Sequence, residues 1–413
     1  MLPDDRNPPA AYDLYPLVRI SFKKDAFMPR LLFVLLSIFS LSTFAAPDRA
    51  DYDLDDNGLI EINSLEDLHA IRNALDGATL YGENTGCPDG GCIGFELTTD
   101  LDFDTSGDGV LDESDSYWND GQGWEPIGTY YNRFTGLFEG NGHEIRNLMI
   151  NRPSSDYQGL FAATEGAEIR NLGLSGSLMA IEGSHYVGAL AGRVEGGGII
   201  ASFASGSVKS HSGLSYTGGL VGLLEDSAIT ASYTAGSVSA TGRYVGGLVG
   251  YARDSSLKAV FSTVAVTGGS YVGGVVGSLT SASSIERSFA TGYVSGTSSV
   301  GGLAGSSLSS TTRDSYWATD ASGQSGSRGG TGALLRELRC PTAADDSTCA
   351  ETDLFVGWAD SIDAAGNPYW VFGEDNQLPG LSLNGVVHHD SDGDGAMDVD
   401  DDFPFNYAVS LDS

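Results

Sequence analysis

Tyr244-Val-Gly-Gly-Leu-Val-Gly250 recurs, lightly edited, along the middle of the chain. The copies are Tyr186-Val-Gly-Ala-Leu-Ala-Gly192, Tyr216-Thr-Gly-Gly-Leu-Val-Gly222, Tyr271-Val-Gly-Gly-Val-Val-Gly277 and Ser299-Val-Gly-Gly-Leu-Ala-Gly305, with a degenerate first member at Tyr157-Gln-Gly-Leu-Phe161. Their starts are 29, 30, 28, 27 and 28 residues apart. A second block keeps step with the first: Ser202-Phe-Ala-Ser-Gly-Ser-Val208, Ser232-Tyr-Thr-Ala-Gly-Ser-Val238, Val260-Phe-Ser-Thr-Val-Ala-Val266, Ser288-Phe-Ala-Thr-Gly-Tyr-Val294 and Ser315-Tyr-Trp-Ala-Thr-Asp320, with Asn171-Leu-Gly-Leu-Ser-Gly-Ser-Leu178 as first member. Two blocks in phase over this many units mean a solenoid or a propeller.

The unit length favours the solenoid. Each unit holds two short β-prone runs, and in Ile229-Thr-Ala-Ser-Tyr233 residues 229, 231 and 233 alternate with polar ones, as in a strand with one face inward. A propeller blade needs four strands in about 40–45 residues. A repeat of 27–31 residues suits one coil of a right-handed parallel β-helix. Gly246, Gly247 and Gly250 would then serve tight corners or close backbone approach. A flexible Gly/Ser linker is excluded by apolar residues recurring in register.

The repeat core resembles the GLUG motif of bacterial secreted and surface proteins. Phe134–Ile150 resembles the coil that precedes such repeats, and Ser315–Leu335 and Trp370–Leu381 resemble the segments that follow, so the likeness covers roughly residues 51–383. The resemblance implies a β-helical stalk or binding surface outside the cell, with adhesion as the family-level expectation.

Composition fits such a body. The 413 residues carry 21 Lys+Arg against 55 Asp+Glu, a formal charge of −34, with 57 glycines. That balance excludes a nucleic-acid partner, which needs clustered cations. Hydrophobic residues at 41% exclude an acidic disordered chain. Residues 31–44 form an apolar run behind Arg30, followed by Thr43-Phe44-Ala45, which reads as a secretory signal peptide. Met28 would make a better start than Met1. The run is short for a membrane span, so no transmembrane anchor is expected, and the location is secreted or cell-surface.

The expected organisation is a leader at 1–45, an N-terminal cap at 46–126, β-helix repeats at 127–320, a C-terminal cap at 321–387 and an acidic tail at 388–413. Four cysteines, Cys87, Cys92, Cys340 and Cys349, allow three pairings. The two short-range pairs, Cys87–Cys92 and Cys340–Cys349, are favoured, because they lie far apart in sequence and each sits in a flank. The spacings fit a four-cysteine zinc site poorly.

Three acidic loops have calcium-type spacing, with oxygen ligands at alternate positions and glycine at the sixth. Asp390, Asp392, Asp394, Asp398 and Asp401 fall at positions 1, 3, 5, 9 and 12, and with Phe403-Pro404 resemble a thrombospondin type-3 calcium repeat. Asp104, Ser106, Asp108, Asp112 and Asp115 fit the same count and resemble an EF-hand or dockerin-type loop. Asp53, Asp55 and Asn57 begin a third loop, with Glu61 at position 9 and Ser64 where a carboxylate is expected at 12. Calcium is therefore the expected cofactor. Ser64–Leu75, which follows, has the cap, early acids and apolar spacing of a helix.

No catalytic constellation is read. His143-Glu144-Ile-Arg-Asn147 lacks the second histidine of a zinc-protease helix. His69, His185 and His211 stand singly, and His388-His389 abuts an acidic loop. A polysaccharide lyase or glycosidase would need carboxylates at stacked positions. The place before the Ser–aromatic step holds instead Arg170, Ala201, Ala231, Ala259, Arg287 and Asp314. Trp118, Trp124, Tyr130, Tyr131, Trp317, Trp358 and Trp370 are expected to cover the rod's open ends. The expected function is an interaction module without catalysis. Its partner would be an extracellular-matrix component, a glycan or another cell-surface ligand. A polysaccharide-acting enzyme and a passive spacer are the alternatives.

Overall fold

A computed structural model describes residues 52–78, 80, 87, 91–339, 354–372, 377–390, 397 and 398. The leader, Cys340, Cys349, Asp392, Asp394 and Asp401 lie outside the described residues.

Ile60, Phe95, Phe138, Ile169, Ile199, Ile229, Leu257 and Ile285 lie directly over one another, one per coil, each 0–1% exposed. They are the inward residues of a nine-stranded, all-parallel sheet that runs from Leu59–Ile62 through Ala228–Thr230 to Thr311–Arg313. At about 4.8 Å per strand this face is about 38 Å long. Burying each such side chain contributes about 1.5–3 kcal/mol, and each packs against its equals above and below and against the inward residues of the other faces. The apolar period of the sequence thus becomes a core column.

Two further faces complete the coil. One stacks Phe161–Glu165, Ala191–Glu195, Val221–Glu225, Val249–Arg253, Val276–Thr280 and Ala304–Leu308 in six parallel strands. The motif leucines Leu190, Leu220, Leu248 and Leu303, with Val275, enter this face fully buried. The other face includes Gly173–Ser175, Phe203–Ser210, Tyr233–Ala240, Phe261–Ser262, Phe289–Ala290 and Tyr316–Ala318. The chain is a parallel β-solenoid, as the repeat length predicts.

The corners are built differently from expectation. Asn171, Ala201, Ala231, Ala259, Arg287 and Asp314 form a left-handed column, with φ between 46° and 53°. That conformation costs a non-glycine residue about 1–2 kcal/mol. Each bend is held by the next coil: the Ala201 N–H donates to the Thr230 carbonyl and the Ala231 N–H to the Lys258 carbonyl, both at 3.0 Å. The motif glycines meet the other need. Gly219, Gly247 and Gly274 have no left-handed φ, but a Cβ on any of them would press closer than 3.0 Å to the carbonyl of the glycine one coil on. Buried serines tie the coils as well: the Ser202 N–H donates to Ser232 Oγ, and the Ser227 N–H to Ser255 Oγ, each at 3.2 Å.

The N-terminal flank is helical over Leu65–Ala70, continued by a 3-10 turn at Ile71–Asn73. Ser64 caps it, its Oγ accepting from the Asp67 N–H at 3.1 Å. Leu68 and Ile71 are fully buried, and Trp124 packs against Phe103 and Tyr117 nearby. Cys87 and Cys92 are joined in a disulfide, Cα atoms 5.3 Å apart.

The C-terminal flank corrects the expectation for Trp358 and Trp370. They lie along the rod's side, against an outward ladder of Phe203, Tyr233, Phe261, Phe289 and Tyr316. Successive rings from Phe203 to Phe289 are 4.7–5.2 Å apart and within 4° of parallel. The flank's antiparallel strands Trp370–Val371, Gly380–Leu383 and Val386–His388 bring Leu381 and Leu383 into the same cluster. An outward aromatic strip of this size would be sticky if bare; the flank covers it.

Candidate functional site

A second aromatic ladder stays partly open. Tyr130, Tyr157, Tyr186, Tyr216, Tyr244 and Tyr271 follow one another along the rod, neighbouring ring centroids 4.5–5.1 Å apart. From Tyr157 to Tyr271 the planes lie within 12° of parallel. From Tyr157 to Tyr271 the first residue of each motif supplies the ring, so one ring per coil follows from the repeat, and Tyr130 extends the ladder from outside the motif. All six are half-buried. Their faces are taken up by each other, which leaves edges and hydroxyls for solvent. Tyr251 closes one side, edge-on to Tyr216 and Tyr244. Burial, with the neighbouring tyrosines, pushes the Tyr157 hydroxyl up to about 12; burial also raises Tyr186 and Tyr216. These hydroxyls are therefore neutral donors at ordinary pH.

Beside the rings runs a chain of alternating charge. Arg133 pairs with Glu195 at 2.5 Å, Arg193 with Glu195 at 2.7 Å and Glu225 at 2.5 Å, and Arg253 with Glu225 at 2.6 Å. Strand register stacks Glu165, Glu195, Glu225 and Arg253 in one column. Like charges directly opposite one another repel, and the arginines neutralise them. Burial disfavours the charge on Arg193, but Glu225 and Glu195 outweigh this and raise its pKa. Tyr130, Tyr157, Tyr186 and Tyr216, with Tyr251 and the Arg193–Glu225–Arg253 ion pairs, line a groove of about 280 Å³.

The alignment read from sequence missed these columns. Arg170 is paired with Ile200, and Asn171 stands in the corner column with Ala201. Corrected by one residue, the sequence shows another carboxylate column: Glu61, Glu96 and Glu139, all buried, followed by Arg170. Arg170 pairs with Glu139, and Asn141 donates from Nδ2 to Glu96 Oε2 at 2.8 Å.

The acidic loops are partly accounted for. In residues 104–115, Asp104 accepts from the N–H groups of Gly107 and Gly109 at 2.8 and 3.0 Å. Asp108 accepts from the Val110 N–H, Asp112 from Ser114, and Asp115 from the N–H groups of Ser106 and Asp112. Burial works against the Asp115 charge, but the bonds from Ser106, Asp112 and Thr105 hold its pKa below the usual value. In the first loop Asp53 accepts from Asn57 and Gly58 N–H groups at 3.0 and 2.8 Å, and Asp55 from Asn57. Burial raises the pKa of Asp53 despite these bonds. Glu96, from the next coil, reaches this loop by accepting from Asn57 Nδ2 at 3.0 Å, a partner invisible without the register. Asp390 is buried, and the Asp398 N–H donates to the His389 carbonyl. Each carboxylate oxygen has about two acceptor sites, so these bonds leave room for a cation in composition. Among the described residues, however, no three His, Cys, Asp or Glu side chains converge as an ion-holding group. Calcium would have to draw them together.

No protein-family model matches the chain. A stretch of 100 residues, 24% of the chain, is 41% identical to a protein of Evansella cellulosilytica named "Putative Gly-rich membrane protein", of which it covers 10%. A stretch of 140 residues, 33% of the chain, is 36% identical to Halomucin of Haloquadratum walsbyi, of which it covers 1%. The chain thus spans a tenth or less of either relative. Among solved structures, one described as "a putative immunoglobulin A1 protease from Bacteroides ovatus" superposes with a TM-score of 0.50 at 16% identity, covering 76% of this chain and 92% of that one. That likeness shows the fold. Among the described residues no helix is long and apolar enough to cross a membrane.

Proposed function

We propose that this protein is a secreted or surface-exposed solenoid of adhesin type that binds an extended glycan along its tyrosine groove. The tyrosine repeat carries this reading: one phenol per coil, beside the Arg–Glu chain that runs from Arg133 to Arg253, offers an uncharged, hydroxyl-rich polymer a hydroxyl at each step and charged donors and acceptors along part of its length. Tyrosine suits such a surface because an apolar body carries a polar tip. The signal-peptide-like leader and the names of two relatives, one a membrane protein and one a halomucin, support a location outside the cytoplasm. Catalysis on the glycan backbone is not part of this reading.

Calcium is proposed to hold the acidic loops at 53–61, 104–115 and 390–402. Their ligand spacing and the Asx-type bonds of Asp53 and Asp104 to the glycine at position 6 support it. Extracellular modules of this kind bind calcium at about 10⁻⁴–10⁻³ M. The functional test is a glycan array probed with the purified chain, repeated with Tyr131→Ala. Tyr131 is 93% exposed and touches Tyr130 at the head of the ladder, so its loss spares the core. Binding of neutral polymers that Tyr131→Ala weakens supports the reading; an array without hits rejects it.

A further inference from the structure

Three polar residues from consecutive coils meet at the edge of the rod. Ser212 Oγ lies 2.8 Å from His185 Nε2, and His185 Nδ1 lies 2.8 Å from Asp156 Oδ1. We propose that Ser212, His185 and Asp156 form a nucleophile–base–carboxylate triad that hydrolyses carboxylic esters. The proposal is independent of the glycan reading.

The solenoid explains how they meet. Asp156 and His185 each precede a ladder tyrosine, so they occupy one column in adjacent coils. In the next coil that place holds Ser215. The interval from Tyr186 to Tyr216 is the longest between motifs, 30 residues, and its loop at 211–215 carries Ser212 back over His185. Sequence spacing gives no hint of this, because the serine is out of register with its partners.

The hydrogen bonds assign the roles. Asp156 Oδ1 also accepts from the His185 backbone N–H at 3.2 Å, which fixes the carboxylate against the ring. With its Nδ1–H given to Asp156, the neutral imidazole presents Nε2 as a base toward Ser212. Ser184 Oγ, 3.0 Å from Nδ1, shares that side. The Leu214 N–H donates to Ser212 Oγ at 3.2 Å, leaving the hydroxyl proton for Nε2. This is the geometry by which a triad is recognised, independent of fold. The N–H of Gly213, the residue after the nucleophile, has no hydrogen-bond partner among the described residues, and space around its Cα is open. The residue after the nucleophile is where oxyanion holes draw a backbone donor.

In the step, Ser212 Oγ forms a bond to the ester carbonyl carbon while its proton passes to His185 Nε2. The carbonyl–alkoxy bond then breaks, and the alkoxide leaves with that proton as an alcohol. Water attacks the acyl-Ser212, gives a proton to Nε2, and the carboxylic acid departs as the proton returns to Ser212 Oγ. Esters are the class that fits. The site is open, with Asp156 and His185 side chains 47% and 37% exposed, and a single backbone donor gives limited help to an oxyanion.

The test uses the full purified chain with p-nitrophenyl acetate and a fluorophosphonate probe. Expected are hydrolysis above buffer, and a covalent label mapped by mass spectrometry to Ser212. Ser212→Ala and His185→Ala should abolish both at unchanged melting temperature. Asp156 is a positioning residue: Asp156→Asn should lower the rate about 10²–10⁴-fold, and Asp156→Glu should recover part of it. Absence of hydrolysis and label, a label on another serine, or full activity in Ser212→Ala would overturn the proposal.

Discussion

The Tyr233 hydroxyl lies 2.9 Å from His388 Nδ1, joining positions 155 residues apart. It fastens the C-terminal flank to the side of the rod. Burial lowers the His388 pKa to about 4, with Glu144 opposing and His389 assisting. In the released flank the same ring titrates near 6.5.

Acid should therefore loosen the flank. Between pH 6.5 and 4 the released state binds a proton that the docked state refuses, so stability falls as pH falls. The contribution is whole above about pH 6.5 and gone below about pH 4, worth up to about 3 kcal/mol. Emission from Trp358 and Trp370 followed against pH should report it. His388→Gln should remove the part between pH 6.5 and 4; an unchanged profile would contradict the assignment.

Gly247→Ala should destabilise the solenoid by about 3 kcal/mol or more. The new methyl meets the Gly274 carbonyl and Ser262 Oγ, and neither backbone nor buried hydroxyl can yield cheaply. Gly326→Ala, with nothing within 4 Å of the added Cβ and no left-handed φ, should stay within about 0.5 kcal/mol of the parent. Urea melts of the two variants decide it. Equal effects would mean that the glycines do not mark close approach.

Calcium at millimolar levels should raise the melting temperature by a few degrees over chelator, since a ligand at about ten times its dissociation constant adds about 1.4 kcal/mol per site. Asp104→Ala with Asp108→Ala should reduce the shift, because Asp104 bonds the loop at Gly107 and Gly109. Calorimetry that finds no bound ion, with superimposable melts, would remove calcium from the account.

The repeat made the coil legible because burial is periodic. Ile199, Ile229 and Leu257 recur at intervals that one turn of chain must satisfy. What the sequence hid depends on register and on contacts across the stack. Arg170 and Asn171 are neighbours in the chain, and a slip of one residue exchanged a column partner of Glu139 for a bend. Glu96 reaches Asn57 only because two coils pair. The position of Trp358 and Trp370 late in the chain suggests end covers, yet the outward rings of Phe261, Phe289 and Tyr316 draw them to the side. The tyrosines were visible as motif starts; their stacking into an open groove was not, because nothing local sets which way a ring faces.

The glycan groove is tested most directly by affinity against oligomer length for a neutral glycan found on the array. The four ladder tyrosines that line the groove, Tyr130 to Tyr216, span about 14 Å. Affinity should rise with chain length until the ligand fills that span and then level off, with Arg193→Ala weakening long oligomers more than short ones. Affinity independent of length, or untouched by Arg193→Ala and Tyr131→Ala alike, would contradict the account.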